Sequence, residues 1–265
     1  MPSISILMGV YQPGHDTQNL RRAVESILTQ TYRDFEFLIC DDGSSGAVCY
    51  LLDLYAEQDS RIRLVRTGDA VTLPDKLNAC IRVARGDLFA RQDADDVSAP
   101  NRLEKQAAFL KAHPEIAFAG CNVSLFCAGK LCGERRFPEY PQKEDFLFSM
   151  PFIHPTLVFR RSAIEEVGGY SRSRWVILCE DYDLLLRMYQ KGLYGYNLQE
   201  SLFSYQISPE DYKKRKYRHR VNEAVTRFCR FRALGMLPKG FPYVIKPLAV
   251  GLLPHRLIQV LKKGR

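Results

Sequence analysis

The sequence has no Cys-x-x-Cys pair, no Cys/His spacing of the zinc-site kind, no internal repeat and no low-complexity linker. Those absences exclude a zinc-ribbon module and a repeat architecture. It also lacks any run of about 18 consecutive apolar residues, so no membrane-crossing helix is expected. A basic start followed by an apolar stretch is missing as well, which is read as the absence of a signal peptide. The eight cysteines mostly sit in apolar runs, such as Leu38-Ile39-Cys40 and Leu178-Cys179. They are expected to be reduced thiols in a cytosolic protein, because disulfide frameworks compensate for missing cores in small secreted domains. Acidic side chains are scarce in one place only. Residues 206–265 hold three Asp and Glu against 15 Lys and Arg, whereas residues 1–205 hold 27 against 23. The formal net charge of +8 thus averages a mildly acidic body and a strongly basic last quarter. A hydrophobic fraction of 46% over 265 residues excludes disorder for the body and is ample for a core.

The body alternates apolar β-type runs with amphipathic helical patterns. Strands are expected at Ile4–Met8, Phe35–Cys40, Arg61–Arg66, Asp87–Arg91, Ile116–Cys121 and Thr156–Phe159. Helices are expected at about 17–30, 48–58, 75–85, 98–111 and 162–167, with another starting near Glu180. Residues 129–141, rich in Gly, Pro and Tyr, are read as irregular, and a short β pair is placed around 194–206. One long basic helix is expected over 209–235, then two short amphipathic pieces broken by Pro242, Pro247 and Pro254. The class is α/β: a single Rossmann-like, mostly parallel sheet flanked by helices, with a basic helical C-terminal extension. The expected division is a domain over 1–205 and the extension over 206–265.

In open α/β sheets ligands bind beyond the carboxyl ends of the strands. Gly9-Val10-Tyr11, Asp41-Asp42 and Gln92-Asp93-Ala94-Asp95-Asp96 each follow a strand and should meet there. Asp-Asp-Gly taken alone is equally a plain turn, and Asp93–Asp96 before Pro100 is equally a helix cap. Three carboxylates in four residues repel one another unless a cation neutralises them. Hard oxygen ligands so close together suit Mg²⁺ or Mn²⁺, which would then hold a diphosphate.

An ordered set of segments carries a resemblance. Ser5-Ile6-Leu7-Met8-Gly9-Val10-Tyr11, Ser26–Tyr32, Asp41-Asp42-Gly43-Ser44, Gln92–Asp96, Pro100-Asn101-Arg102-Leu103 and Glu180-Asp181-Tyr182 together resemble the family 2 inverting glycosyltransferases of GT-A fold. The match runs in order through residues 1–205, and it looks closest to members that build bacterial exopolysaccharide, capsule or O-antigen. The resemblance implies a metal-dependent hexosyltransferase that moves a sugar from a nucleoside-diphosphate sugar, UDP-linked by preference, to a saccharide acceptor on a lipid. It implies that Val10, Tyr11, Asp41 and Asp42 hold the nucleoside, with Asp42 meeting the base edge. Asp93 would contact the ribose, Ala94 would line the same site, and Asp95 would ligate Mn²⁺ or Mg²⁺. Asp181 falls on the family's general base. Lys76 and Asn78, on a helix facing the nucleotide, are further candidates for binding it.

Two departures stand out. Gly9 replaces a common Pro or Thr, and Tyr205-Gln206-Ile207 replaces a common Tyr-Arg that precedes a basic loop closing over the phosphates. Lys213 to Arg220 are candidates for those charges. The QxxRW motif of membrane-embedded processive synthases is absent, and the one tryptophan is Trp175. Without the resemblance, Glu180-Asp181 also reads as the ordinary preference for acids at a helix N-terminus. Three further residues are candidates for acceptor or phosphate contact. Glu180 is one. His154 either lines the pocket or is structural, and Arg102 either holds the metal loop through a carboxylate or sits on a helix face. A non-catalytic binding protein on the same fold is the rival reading, disfavoured because it has no need for Asp93, Asp95 and Asp181 together.

Three roles compete for the basic tail: nucleic acid, an anionic membrane surface, or packing on the body with a solvated face. Tyr217 and Phe228 fall on the helix's apolar stripe rather than among the charges, which argues against nucleic acid. Val244–Leu248 and Leu257–Lys263 set apolar residues beside positive ones, which favours the membrane. The expected location is the cytoplasm, peripheral on the inner face of the cell membrane.

Overall fold

Strand β1 (Ile4–Val10) sends Ile4, Ile6, Met8 and Val10 into one hydrophobic cluster and Leu7 into a second. That is the period of two a pleated strand imposes, and it sets the layering of the molecule. The computed structural model describes residues 2–127, 129–207 and 216–252. After β1 come α1 (Gln18–Leu28), β2 (Phe35–Asp41), α2 (Gly46–Gln58), β3 (Ile62–Val65), α3 (Leu73–Val83) and β4 (Leu88–Arg91). Strands β3, β2, β1 and β4 lie side by side and parallel. Helices α1 and α2 cover one face, with Leu20, Val24, Ile27 and Leu52 fully buried, and α3 covers the other through Leu77 and Cys80.

The chain continues with β5 (Val97–Ser98), α4 (Arg102–Ala112), β6 (Phe118–Cys127), β7 (Lys130–Arg135), β8 (Val158–Arg160), α5 (Arg161–Glu166), α6 (Glu180–Gln190), β9 (Gly195–Ile207), α7 (Tyr217–Ala233) and α8 (Leu237–Gly251). The single sheet runs β3-β2-β1-β4-β8-β6-β9-β5, with β7 on β6. Antiparallel pairing enters with β8, while β6 and β9 are parallel. The architecture is therefore α/β with helices on both faces, as expected from the alternation of patterns.

Several local expectations are corrected. The irregular stretch at 129–141 contains β7, whose residues are all exposed and so lack an apolar signature. Cys127 and Cys132, expected as free thiols, form a disulfide across the β6–β7 hairpin, where antiparallel pairing brings the two chain segments side by side. The short β pair at 194–206 is one continuous 13-residue strand, β9. Its polar middle is tolerated because Asn197 donates to Pro138 O (2.9 Å) and Pro151 O (3.1 Å). Ser98 belongs to a strand, and α4 begins only at Arg102. The two pieces expected after 241 are one helix, α8, which contains Pro242 and Pro247. Part of the long basic helix, with Lys213, and the segment 257–263 with Pro254 lie outside the described residues.

The division at residue 205 is not a gap in packing. Strand β9 runs past it, and Phe231, Met236 and Val244 from the basic quarter join the same cluster as α6. Arg230 pairs with the buried Asp183 at 2.7 Å, and Arg227 lies over the Tyr182 ring.

Candidate active site

The carboxyl ends of β1, β2 and β4 lie together because the three strands are parallel neighbours. Their loops are stitched by short bonds: Gln12 N donates to Ser44 Oγ (3.0 Å), and Ser45 N donates to Gln12 O (2.9 Å). Tyr11 is 66% exposed, and its ring lies over the turn at Gly43, where φ is +92°. It forms an open aromatic platform above the Asp-Asp-Gly turn. Asp41 is buried at the end of β2, accepts from Cys49 Sγ (3.3 Å) and has no partner for Oδ1 among the described residues. Asp42 accepts from Thr67 N (3.2 Å), Thr67 Oγ1 (2.9 Å) and Gly68 N (3.0 Å). Burial alone would raise its carboxyl, but those bonds and Lys76 hold it below the usual range. Asp42 is thus the anchor of the loop after β3.

Lys76 is buried under this turn and donates to Asp42 O (2.8 Å). Gly9 permits that approach: a Cβ there would lie 2.8 Å from Leu73 Cδ1 and 3.2 Å from Lys76 Cβ. A close helix over β1 thereby accounts for glycine at this position. Asn78 holds the backbone of Tyr170 in both directions, at 2.8 and 3.0 Å. Lys76 and Asn78 therefore position loops of the site from below.

After β4, Arg91 is buried; its guanidinium donates to Leu7 O (3.2 Å) and Gln92 O and pairs with Asp93. Gln92, also buried, staples the loop by donating to Asp93 O (3.0 Å) and Asp96 O (2.9 Å). The result turns Asp95 to the surface, leaves Asp93 and Ala94 half-buried and points Asp96 inward. Asp96 accepts from Gln206 N (2.8 Å), while its Oδ2 is buried without a partner among the described residues. Burial, with Asp93 and Asp95 close by, raises its carboxyl far above the usual range.

Arg102 is wholly buried and reaches no carboxylate among the described residues. It donates to Gln106 Oε1 (3.0 Å), Gln92 Oε1 (3.1 Å), Ser98 Oγ (2.7 Å) and Arg91 O (2.7 Å). Burial brings it down to about 10. The expected phosphate or acceptor contact is corrected on this point: its donors are engaged inside the protein, and Arg102 braces the Gln92–Ser98 loop. His154 is likewise buried, with Nε2 2.7 Å from Tyr170 Oη. Burial and the nearby Arg91 hold its pKa far below the ordinary imidazole value, so it is neutral and packs inside the wall of the site.

Glu180 and Asp181 open α6, and Asp181 Oδ1 accepts from Tyr182 N (2.7 Å). Leu178, two residues earlier, has φ +63°, the only positive value at a non-glycine residue among those described. Backbone strain of this kind collects at active sites, which marks the start of α6 as a candidate. Tyr170 joins the two halves of the site. Burial, then Asp181, Glu180 and Asp93, keep its phenol protonated against the pull of Arg91. The carboxylates after β4 and those opening α6 therefore both act on one tyrosine. Tyr170, Arg91, Gln92 and Asp96 were not singled out from sequence. The adjoining acidic run was the only signal for Arg91 and Gln92, and nothing in sequence ties Tyr170 to Asn78 or His154.

Known proteins bear on this arrangement. The family model for glycosyl transferase family 2 matches residues 5–168, and that for glycosyl transferase family group 2 matches residues 91–263. The putative glycosyltransferase EpsE of Bacillus subtilis is 34% identical over all of this chain and 94% of its own length. The O-antigen biosynthesis glycosyltransferase WbnJ of Escherichia coli is 32% identical over 80% of this chain and 82% of its own. In structure, S. aureus TarS 1–349, solved with UDP, superposes with a TM-score of 0.69 at 15% identity, covering 96% of this chain and 76% of that one. Mannosyltransferase PcManGT from Pyrobaculum calidifontis, solved with GDP-Man and Mn²⁺, gives 0.66 at 17% identity, covering 99% and 79%. The chain belongs to glycosyl transferase family 2. It is a glycosyltransferase with a GT-A-like fold, related to proteins of exopolysaccharide and O-antigen synthesis.

Proposed function

We propose that the protein is an inverting, metal-dependent hexosyltransferase. It takes its sugar from a nucleoside-diphosphate sugar, UDP-linked by preference, and gives it to a hydroxyl of a lipid-linked saccharide at the inner face of the cell membrane. The observation that carries this is that Asp93, paired with Arg91 in the loop after β4, and Glu180 with Asp181 at the start of α6 all act on the one buried Tyr170. One transfer reaction needs both a metal–diphosphate site and a base.

In this reading the nucleoside stacks on Tyr11 and meets Asp41, whose buried Oδ1 keeps an acceptor position. Asp93 is aimed by Arg91, leaving its other oxygen for the ribose. Asp95, on the exposed corner of the loop, would hold Mn²⁺ or Mg²⁺ together with the phosphates of the donor. Among the described residues no group of three or more His, Cys, Asp or Glu could hold a metal unaided. That fits an ion held by one or two carboxylates plus substrate phosphates. The ion, when bound, supplies Lewis-acid stabilisation of the leaving diphosphate. Asp181 takes the proton of the acceptor hydroxyl as its oxygen bonds to the anomeric carbon. The bond from that carbon to the diphosphate oxygen breaks on the opposite face, and the nucleoside diphosphate leaves with the electron pair. Neutral His154 and the protonated Tyr170 add no charge to the wall between the two carboxylate sets.

The test is a pair of variants. Asp181→Asn is expected to lower kcat by roughly 10²- to 10⁴-fold while leaving thermal stabilisation by UDP and Mn²⁺ intact. Asp95→Asn should lose that stabilisation as well as activity. Full activity in both variants would sink the assignment.

A further inference from the structure

Between the turn that leads into α6 and the first turns of α7 lies a cleft of about 350 Å³, lined by Arg174, Trp175, Ile177, Arg218, His219 and Asn222. Its two walls are fastened together behind it. Thr226 Oγ1 donates to Trp175 O (3.0 Å), and the Cys179 thiol lies 3.5 Å from the same hydroxyl. Two features set the lining apart from ordinary surface. Among the described residues it carries two arginines and no carboxylate. It also leaves Trp175 and Ile177, together with the neighbouring Leu178, 39%, 41% and 38% exposed. The Arg174 guanidinium sits 4.5 Å over the Trp175 ring, and Arg218 Nε donates to His219 Nε2 (3.1 Å), so both cations are placed at the mouth of an apolar floor. Six residues beyond Trp175 the chain reaches Asp181.

We propose that this cleft binds a single-chain lipid phosphate, the phosphate lying between Arg174 and Arg218 and the start of the apolar chain over Trp175 and Ile177. The proposal rests on the transferase reading and names the class of acceptor anchor that would bring a sugar hydroxyl to Asp181. Cationic groups alone would suit any anion, and the apolar floor alone any hydrophobe. Their combination selects an amphiphile with a phosphate head. The volume falls at the small end of ligand sites, about 300–1,000 Å³, with room for a phosphate and one short stretch of chain but not for two acyl chains.

Trp175 is the only tryptophan of the chain, so its fluorescence reports on this cleft and nothing else. Titrating the full-length protein with farnesyl phosphate should give a saturable change in that emission. Farnesol and inorganic phosphate, each alone, should need at least tenfold higher concentration. Arg218→Ala, and the double change Arg174→Ala with Arg218→Ala, should raise the half-saturation concentration tenfold or more. Unchanged melting temperatures of both variants without ligand would show that the fold is intact. Asp95→Asn should leave the titration as it is, which separates failure of this proposal from failure of the donor-site assignment. An absent or non-saturating response, one indifferent to Arg218, or one matched by inorganic phosphate would overturn the proposal. So would an equal, arginine-dependent response to phosphatidylglycerol vesicles, which would assign the cleft to a bilayer headgroup.

Discussion

Glu36 illustrates how single residues carry the fold. It is a carboxylate near the start of a fully buried strand. Ser5 Oγ (2.7 Å), Arg85 N (2.6 Å) and Arg63 all bond to it. Burial pushes its carboxyl up, but those three partners outweigh burial and hold it below the ordinary value. The sign follows: protons bind the unfolded chain at higher pH than the folded one. The contribution is therefore complete above the unfolded value near 4.3 and lost as pH falls through the lower folded one. Glu36→Gln should destabilise by about 1.5–3 kcal/mol at pH 7, with the two melting curves converging below about pH 4. Thermal melts from pH 3 to 7 check this. A constant offset across the range would show that ionisation of Glu36 does not matter. Residue identity made the carboxylates of the site legible in sequence. It did not reveal that Asp42 anchors a loop, or that Asp96 faces inward while Asp93 is half-buried on Arg91 and Asp95 is exposed.

At the scale of elements, periodicity was readable wherever burial was one-sided or complete, as in β1, β2, α1 and α3. It failed for β7, which is exposed throughout, and for β9, whose polar middle is satisfied by residues far away in sequence. Strand β9 lies against β6 so closely that a Cβ at Gly195 would stand 2.2 Å from Phe118 Cε2. Phe118 is itself fully buried among Phe152, Phe159 and Tyr189, so it has nowhere to turn. Gly195→Ala should cost about 1–3 kcal/mol, read as a lower urea midpoint with an unchanged m-value. The β6–β7 disulfide closes only a short, exposed hairpin. Cys132→Ser is expected to speed amide exchange in β7 while shifting the global urea midpoint by less than Gly195→Ala does. An equal or larger loss of global stability would contradict that local role.

The whole molecule resolves part of the charge asymmetry. Residues 216–252 carry eight basic side chains and one acidic, yet α7 and α8 are packed on the body rather than appended to it. Gly240 approaches Phe231 so tightly that a Cβ would lie 2.7 Å from its ring. Val244 and Pro247, within a segment read as facing a membrane, are buried against the body. The outward stripe of α8 is instead Phe241, Ile245, Ala249 and Leu252, flanked by the exposed Arg232 and Lys239. No helix among the described residues is long and apolar enough to cross a membrane. Contact with an anionic leaflet, proposed above, would therefore use this stripe, each nearby cation adding about 1 kcal/mol. Removing 239–265 would also strip Val244 from the core. Phe241→Ser with Ile245→Ser is the cleaner test, because both side chains are half-exposed. The double variant should keep its melting temperature and lose at least half of its flotation with phosphatidylglycerol vesicles, and undiminished flotation would refute the membrane role for α8.

Composition and the order of motifs along the chain determined the α/β class and the family and marked the candidate carboxylates, because strand ends and acidic turns are local features that a sequence writes directly. Only the tertiary structure decided how those carboxylates are aimed. Arg91, Asn78, Tyr170 and Arg102 act through contacts between residues distant in sequence, where no local periodicity exists to read. The basic quarter shows the same division. Its charge was visible in the sequence, but which helix face meets the core depends on α6, β6 and α7 closing around it, and burial is a property of the assembled chain.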